Sequence, residues 1–210
     1  MSVAVKRYKK LVKELLFTYS ELEYVEEVLG DAHAEFESYY QDYCQRKEVP
    51  INELNERNSK KLEKVYPKNK PKTDEEGIVQ YEADSSTKEN HKVFQRMYRI
   101  IAKKLHPDKF SNQEETPEII EKVEAFKQAT GAYNKNNWAK FLDICEKHDI
   151  LPTRYEKVNS IIRDEISKIN KQVNNKKLSF SWRLYECEDG EECKEKVIKD
   201  FLYQLFKYRS

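Results

Sequence analysis

The sequence predicts an all-α protein, and two observations carry that prediction. Charged residues make up 37% of the 210 residues and glycine occurs only 4 times, a composition suited to long, solvated helices. Apolar residues recur at helical offsets over several stretches, most clearly Phe94, Met97, Ile101, Ala102 and Leu105. One short run, Leu178 to Tyr185, alternates in the manner of a strand through Phe180, Trp182 and Leu184 and is expected to be briefly extended. The net charge of +1 offers no general basic excess for nucleic acid, and no apolar run approaches membrane-spanning length, so neither partner is expected. The basic N-terminus lacks the apolar core and small-residue cleavage site of a secretory signal, which points to the cytoplasm.

Residues 1–66 read as an N-terminal helical arm. Val5, Val12 and Tyr19 follow heptad spacing, and so do Tyr8, Leu15, Leu22, Leu29, Phe36 and Tyr43. Glu26, His33 and Lys47 interrupt the first of these registers. The seam suits a long helix, or two, packing within the chain; the alternative is a coiled-coil arm that dimerises or docks on a partner. Gly30 weakens a helix and marks a candidate kink. His33 reads as a partly buried seam residue rather than a ligand. After Pro50, Ile51 to Val65 forms a short polar helix, anchored by Leu54, Leu62 and Val65 and capped by Asn52. Residues 67–90 read as a polar linker, in which Lys68, Lys70 and Lys72 belong to a solvated connector rather than a nucleic-acid grip.

Residues 91–149 hold the most informative stretch, Phe94 to Lys109, FQRMYRIIAKKLHPDK. Its apolar positions form one face of a helix, and Arg96, Arg99, Lys103 and Lys104 occupy much of the rest. Proline disfavours helical geometry at the residue before it, so His106 should lie at or just past the helix end. The tyrosine-basic pair Tyr98-Arg99, then Ala102, Lys103-Lys104 and His106-Pro107-Asp108, resemble the second helix and loop of a J domain, the Hsp70-activating module of DnaJ-type co-chaperones. Phe126, Ala129, Ala132 and Tyr133 resemble that family's third helix. Thr116 and Pro117 suit its start. The resemblance covers Asn90 to Asp149 and implies an antiparallel helical hairpin with the His-Pro-Asp loop at its tip. The sequence departs from the family twice. The Tyr-x-x-Leu-Gly phrase of a first helix is missing, and Gly77 to Tyr81 is a poor substitute, so either that helix is absent or another element supplies its packing surface. Beyond Tyr133, the apolar residues Trp138, Phe141, Leu142, Ile144 and Cys145 call for a further turn or a separate helix after Asn136-Asn137, with Trp138 as a core anchor.

Residues 150–210 read as a C-terminal helical arm and closing helix. Leu151-Pro152 makes a break, and Thr153 can cap the next helix. Tyr155, Ile162, Ile166, Ile169 and Val173 form a second heptad seam, which Asn174-Asn175 should end. Its expected partner is the N-terminal helix, in an antiparallel hairpin. Val197, Ile198, Phe201, Leu202, Leu205 and Phe206 form a final amphipathic helix. Of the 4 cysteines, Cys44 and Cys145 read as small apolar core residues. Cys187 and Cys193 can approach each other across the Asp189-Gly190 turn, and without a secretory signal a reduced pair is expected.

No catalytic, cofactor or metal spacing surrounds His33, His91, His106 or His148, so no catalysis, cofactor or bound metal is expected. The resemblance implies instead a co-chaperone that binds an Hsp70-type chaperone and stimulates its ATPase. His106, Pro107 and Asp108 would be the trigger. Arg99, Lys103 and Lys104 would steer and hold the partner, Lys109 would be an auxiliary contact, and Tyr98 would be core with an exposed edge. The helical arms would give targeting or client binding. The alternative is a structural or assembly protein that keeps a J-like fold as a packing module, as a homodimer or with other subunits through its arms. The composition and the tyrosine-rich arms resemble J-domain proteins of large DNA viruses, which implies a host-cytoplasmic or virion location.

Overall fold

The structure, a computed structural model, describes residues 2–65 and 85–209, with side chains described over 2–61 and 92–209. The described residues are helical, without a strand: α1 (Val3–Arg46), α2 (Ile51–Val65), α3 (Ser85–Leu105), a 3-10 turn (Pro107–Lys109), α4 (Pro117–Asn134), α5 (Trp138–Lys147), α6 (Tyr155–Lys177), α7 (Phe180–Tyr185) and α8 (Glu191–Phe206). They fall into two compact units, one drawn from Met1–Leu22 and Tyr81–Gln172, the other from Glu23–Gln80 and Val173–Ser210. Both α1 and α6 supply residues to each.

In the first unit, α3 and α4 pack antiparallel. Phe94, midway along α3, lies against Phe141 of α5, Tyr98 stacks on Tyr133 at 4.7 Å, and the His106 ring meets Phe126 at 5.0 Å. Small residues on α4, Ala129 and Ala132, are buried and let the two helices approach. Asn137 caps α5 by accepting from the Lys140 N–H, and that helix buries Ala139, Phe141, Leu142, Ile144 and Cys145. The start of α1 runs antiparallel to α5: Lys9 pairs with Glu146 at 3.2 Å, and the Tyr19 hydroxyl donates to the Asn136 carbonyl.

The two heptad seams do meet, but in parallel rather than as the expected antiparallel hairpin. Tyr8 packs edge-on against Tyr155, and eleven residues further along α1 the Tyr19 hydroxyl donates to Glu165. The chain reverses at Leu151-Pro152, so α6 runs antiparallel to α5, as α1 does, and α1 and α6 therefore run the same way.

In the second unit, one core joins Phe36, Tyr43 and Cys44 of α1, Leu54 of α2, Leu184 of α7, and Ile198, Leu202 and Phe206 of α8. The Phe201 ring sits edge-on to Phe36, Tyr40 and Phe180. Lys194 pairs with Glu35 at 2.9 Å, and Arg46 reaches Glu191 at 3.3 Å.

Several expectations are corrected. The run from Leu178 to Tyr185 is not extended. Ser179 accepts a bond from the Trp182 N–H and starts α7, whose Trp182 and Leu184 are buried together with Ser181. Gly30 makes no break, because α1 continues through it and a Cβ there would meet nothing within 4 Å. The helix α2 already begins at Ile51, so Asn52 lies inside its first turn. α6 begins at Tyr155, beyond Thr153, and continues past Asn174-Asn175 to Lys177. His33 is exposed, with Nδ1 at 2.7 Å from the Ser181 hydroxyl. The expected linker is helical from Ser85, while its earlier part, with Lys68, Lys70, Lys72 and Gly77 to Tyr81, lies outside the described residues. Cys187 and Cys193 are joined in a disulfide rather than reduced. Glu188 takes a left-handed conformation (φ 48°), and a Cβ at Gly190 would come within 3.0 Å of the Cys187 carbonyl, so the turn closes tightly and its ends meet with Cα atoms 5.5 Å apart. Cys44 and Cys145 are free and buried.

Candidate functional site

The site is the turn between α3 and α4. Pro107 keeps His106 out of helical geometry, and His106 takes an extended conformation (φ −60°, ψ 135°) directly after Leu105. The turn is then closed by its own bonds. The Lys109 N–H donates to the His106 carbonyl at 3.0 Å, the Phe110 N–H to the Pro107 carbonyl at 2.9 Å, and the Ser111 hydroxyl to the Asp108 carbonyl at 3.0 Å. His106 Nδ1 accepts from the Asp108 N–H at 3.3 Å, and the same nitrogen lies 3.3 Å from Asp108 Oδ2. These two contacts exclude each other. An Nδ1 that accepts carries no proton, and a protonated Nδ1 would donate to the carboxylate instead. The His106 side chain is 42% exposed and that of Asp108 is 88% exposed. Phe126 buttresses the imidazole from α4.

The residues singled out by sequence divide into three settings. Arg99 and Lys103 are exposed on α3. Lys104 and Lys109 are engaged: Lys104 Nζ donates to the His148 and Asp149 carbonyls beyond α5, each at 3.4 Å, and Lys109 Nζ donates to the Lys103 carbonyl at 2.6 Å. Both ammonium groups sit at helix C-termini, where unpaired carbonyls and the helix dipole favour a cation. Tyr98 is half-buried between α3 and α4, stacked on Tyr133 and Phe126, with its hydroxyl 3.1 Å from that of Thr130. Burial, and secondarily the neighbouring Tyr98, push the Tyr133 phenol above its ordinary range.

At the other end of this helix pair, α5 supplies a packing surface. Trp138 is half-buried, lies 4.4 Å from the Phe94 ring and meets Tyr133 edge-on at 5.8 Å. Thr116 accepts from the Ile119 N–H and starts α4, with Pro117 in its first turn. Sequence reasoning missed the Phe126–His106 buttress and the anchoring of Lys104. The first was open to inspection, since Phe126 lies two turns before Tyr133 on one helix face; the second depends on where α5 ends. Among the described residues, no group of three or more His, Cys, Asp or Glu side chains is placed to hold a metal ion, and no helix is long and apolar enough to cross a membrane. Comparison with protein-family models, with curated proteins and with solved structures finds no match to this chain.

Proposed function

We propose that the chain is a co-chaperone of the J-domain class, which binds an Hsp70-type chaperone through α3 and stimulates its ATPase through His106, Pro107 and Asp108. One observation carries the reading: a His-Pro-Asp turn, fixed by its own hydrogen bonds, stands at the end of an antiparallel helix pair with Asp108 almost fully exposed. Such a turn presents a carboxylate without an ordering cost on binding. Arg99 and Lys103 would supply electrostatic steering toward an acidic partner surface. Lys104 and Lys109 would act chiefly by holding the turn on the ends of α5 and α3. The test is binding of the full chain to a cytosolic Hsp70 in its ATP and ADP states. The reading expects preference for the ATP state, weakening as salt rises from about 50 to about 300 mM, and a roughly tenfold loss with Arg99→Glu plus Lys103→Glu. Equal, salt-insensitive binding in both states would contradict it.

A second reading has its own observation. The α3–α4 pair is built into a unit with α1, α5 and α6, as a packing module of an assembly protein would be. In that case the chain would form stable complexes with other structural subunits, such as those of a virus particle, and would leave Hsp70 unaffected.

A further inference from the structure

We propose that the groove between α3 and the start of α6 docks an acidic, amphipathic peptide segment of a protein partner. Its floor is apolar, formed by Val93, Met97 and Ile100 of α3 with Leu151, Pro152 and Val158. Its rim carries Lys92, Arg96 and Arg154, and among the described residues no carboxylate lines it. Over the whole chain acid and base are nearly balanced, 38 against 39 residues, so a described lining whose charges are all positive is a local departure with a chemical direction. The cavity is about 240 Å³. That lies below the roughly 300–1,000 Å³ of small-molecule sites and suits one or two anchoring side chains of a peptide. Leucine or phenylalanine anchors would fill the floor, and flanking glutamates or aspartates would meet the rim.

Other occupants fit less well. Among the described residues, the floor offers no aromatic ring on which a nucleic-acid base could stack. A symmetric second copy would bring two cationic rims together. The groove includes neither the His106 turn nor Arg99 or Lys103, so the inference does not rest on the co-chaperone reading.

The probe is a fluorescein-labelled synthetic peptide with leucine and phenylalanine on one helical face and glutamate elsewhere, compared with the same peptide carrying lysine for glutamate. Anisotropy titrations use the full chain. The acidic peptide should bind saturably and the basic one should not. Arg96→Glu with Arg154→Glu should weaken binding by about tenfold or more, and Ile100→Asn by about threefold or more, while Lys127→Glu on α4 leaves it unchanged. Equal binding of the two peptides, or indifference to the charge reversal, would overturn the proposal. So would displacement of the peptide by a single-stranded oligonucleotide, or a dimer in sedimentation that Arg96→Glu dissociates. Should the double variant lose its helical signal, photo-crosslinking to the unaltered chain decides: labels within 92–100 and 151–158 support the groove, and labels elsewhere overturn it.

Discussion

Phe94 is where the candidate site is anchored. It is 1% exposed, lies 4.4 Å from Trp138 and meets Phe141 edge-on. It thereby ties the middle of α3 to α5 while the C-terminal end of α3 leads into the His106 turn. Phe94→Ala leaves a cavity that neighbouring helices cannot fully close, and should cost about 3–5 kcal/mol in a urea titration. A loss under about 1 kcal/mol would mean that the site collapses freely and α5 does not brace α3. The extended conformation of His106 at the end of α3 was legible from sequence, because proline acts on its immediate neighbour. The roles of Lys104 and Lys109 were not. Their charges were visible, but the helix-terminal carbonyls that receive them are placed by packing.

Among the elements, α1 shows what periodicity tells and what it leaves out. The register Tyr8, Leu15, Leu29, Phe36 and Tyr43 is buried, and Leu22 is half-buried, as the heptad pattern implies. Gly30 was a candidate kink on propensity, yet it sits on the exposed side, where a glycine only loosens the chain. Gly30→Ala should therefore raise stability by about 0.5–1 kcal/mol, read as a shift in the urea midpoint; destabilisation would show that the position needs glycine. The direction of α6 against α1 was not readable, since a seam looks alike run either way and only the reversals at α5 decide it. Strand-like alternation in Phe180, Trp182 and Leu184 misled for a related reason: over six residues two periods are hard to separate, and the Ser179 cap settles the helix. The Cys187–Cys193 bridge ties the end of the turn after α7 to the first turn of α8. Purified without reductant, the chain should carry it in a peptide map. Cys187→Ser with Cys193→Ser should lower stability by about 2 kcal/mol through the freed unfolded chain. Two free thiols there in the native protein would contradict the pairing.

At the scale of the molecule, the all-helical class was legible because charge, scarce glycine and helical spacing all point the same way. The division into two units was not, since α1 and α6 each enter both and no change in composition marks the passage. In the first unit α5, with its Trp138 and Phe141, packs on Phe94 of α3 and Tyr133 of α4. The central claim is that this setting leaves a working trigger. The most direct measurement is single-turnover ATP hydrolysis by a cytosolic Hsp70 with the full chain, with His106→Gln and with Asp108→Asn. The account predicts roughly tenfold stimulation, about 1.4 kcal/mol off the barrier, which each substitution abolishes while the helical signal is unchanged. No stimulation by the folded chain across several Hsp70 proteins, or stimulation indifferent to both substitutions, would contradict it.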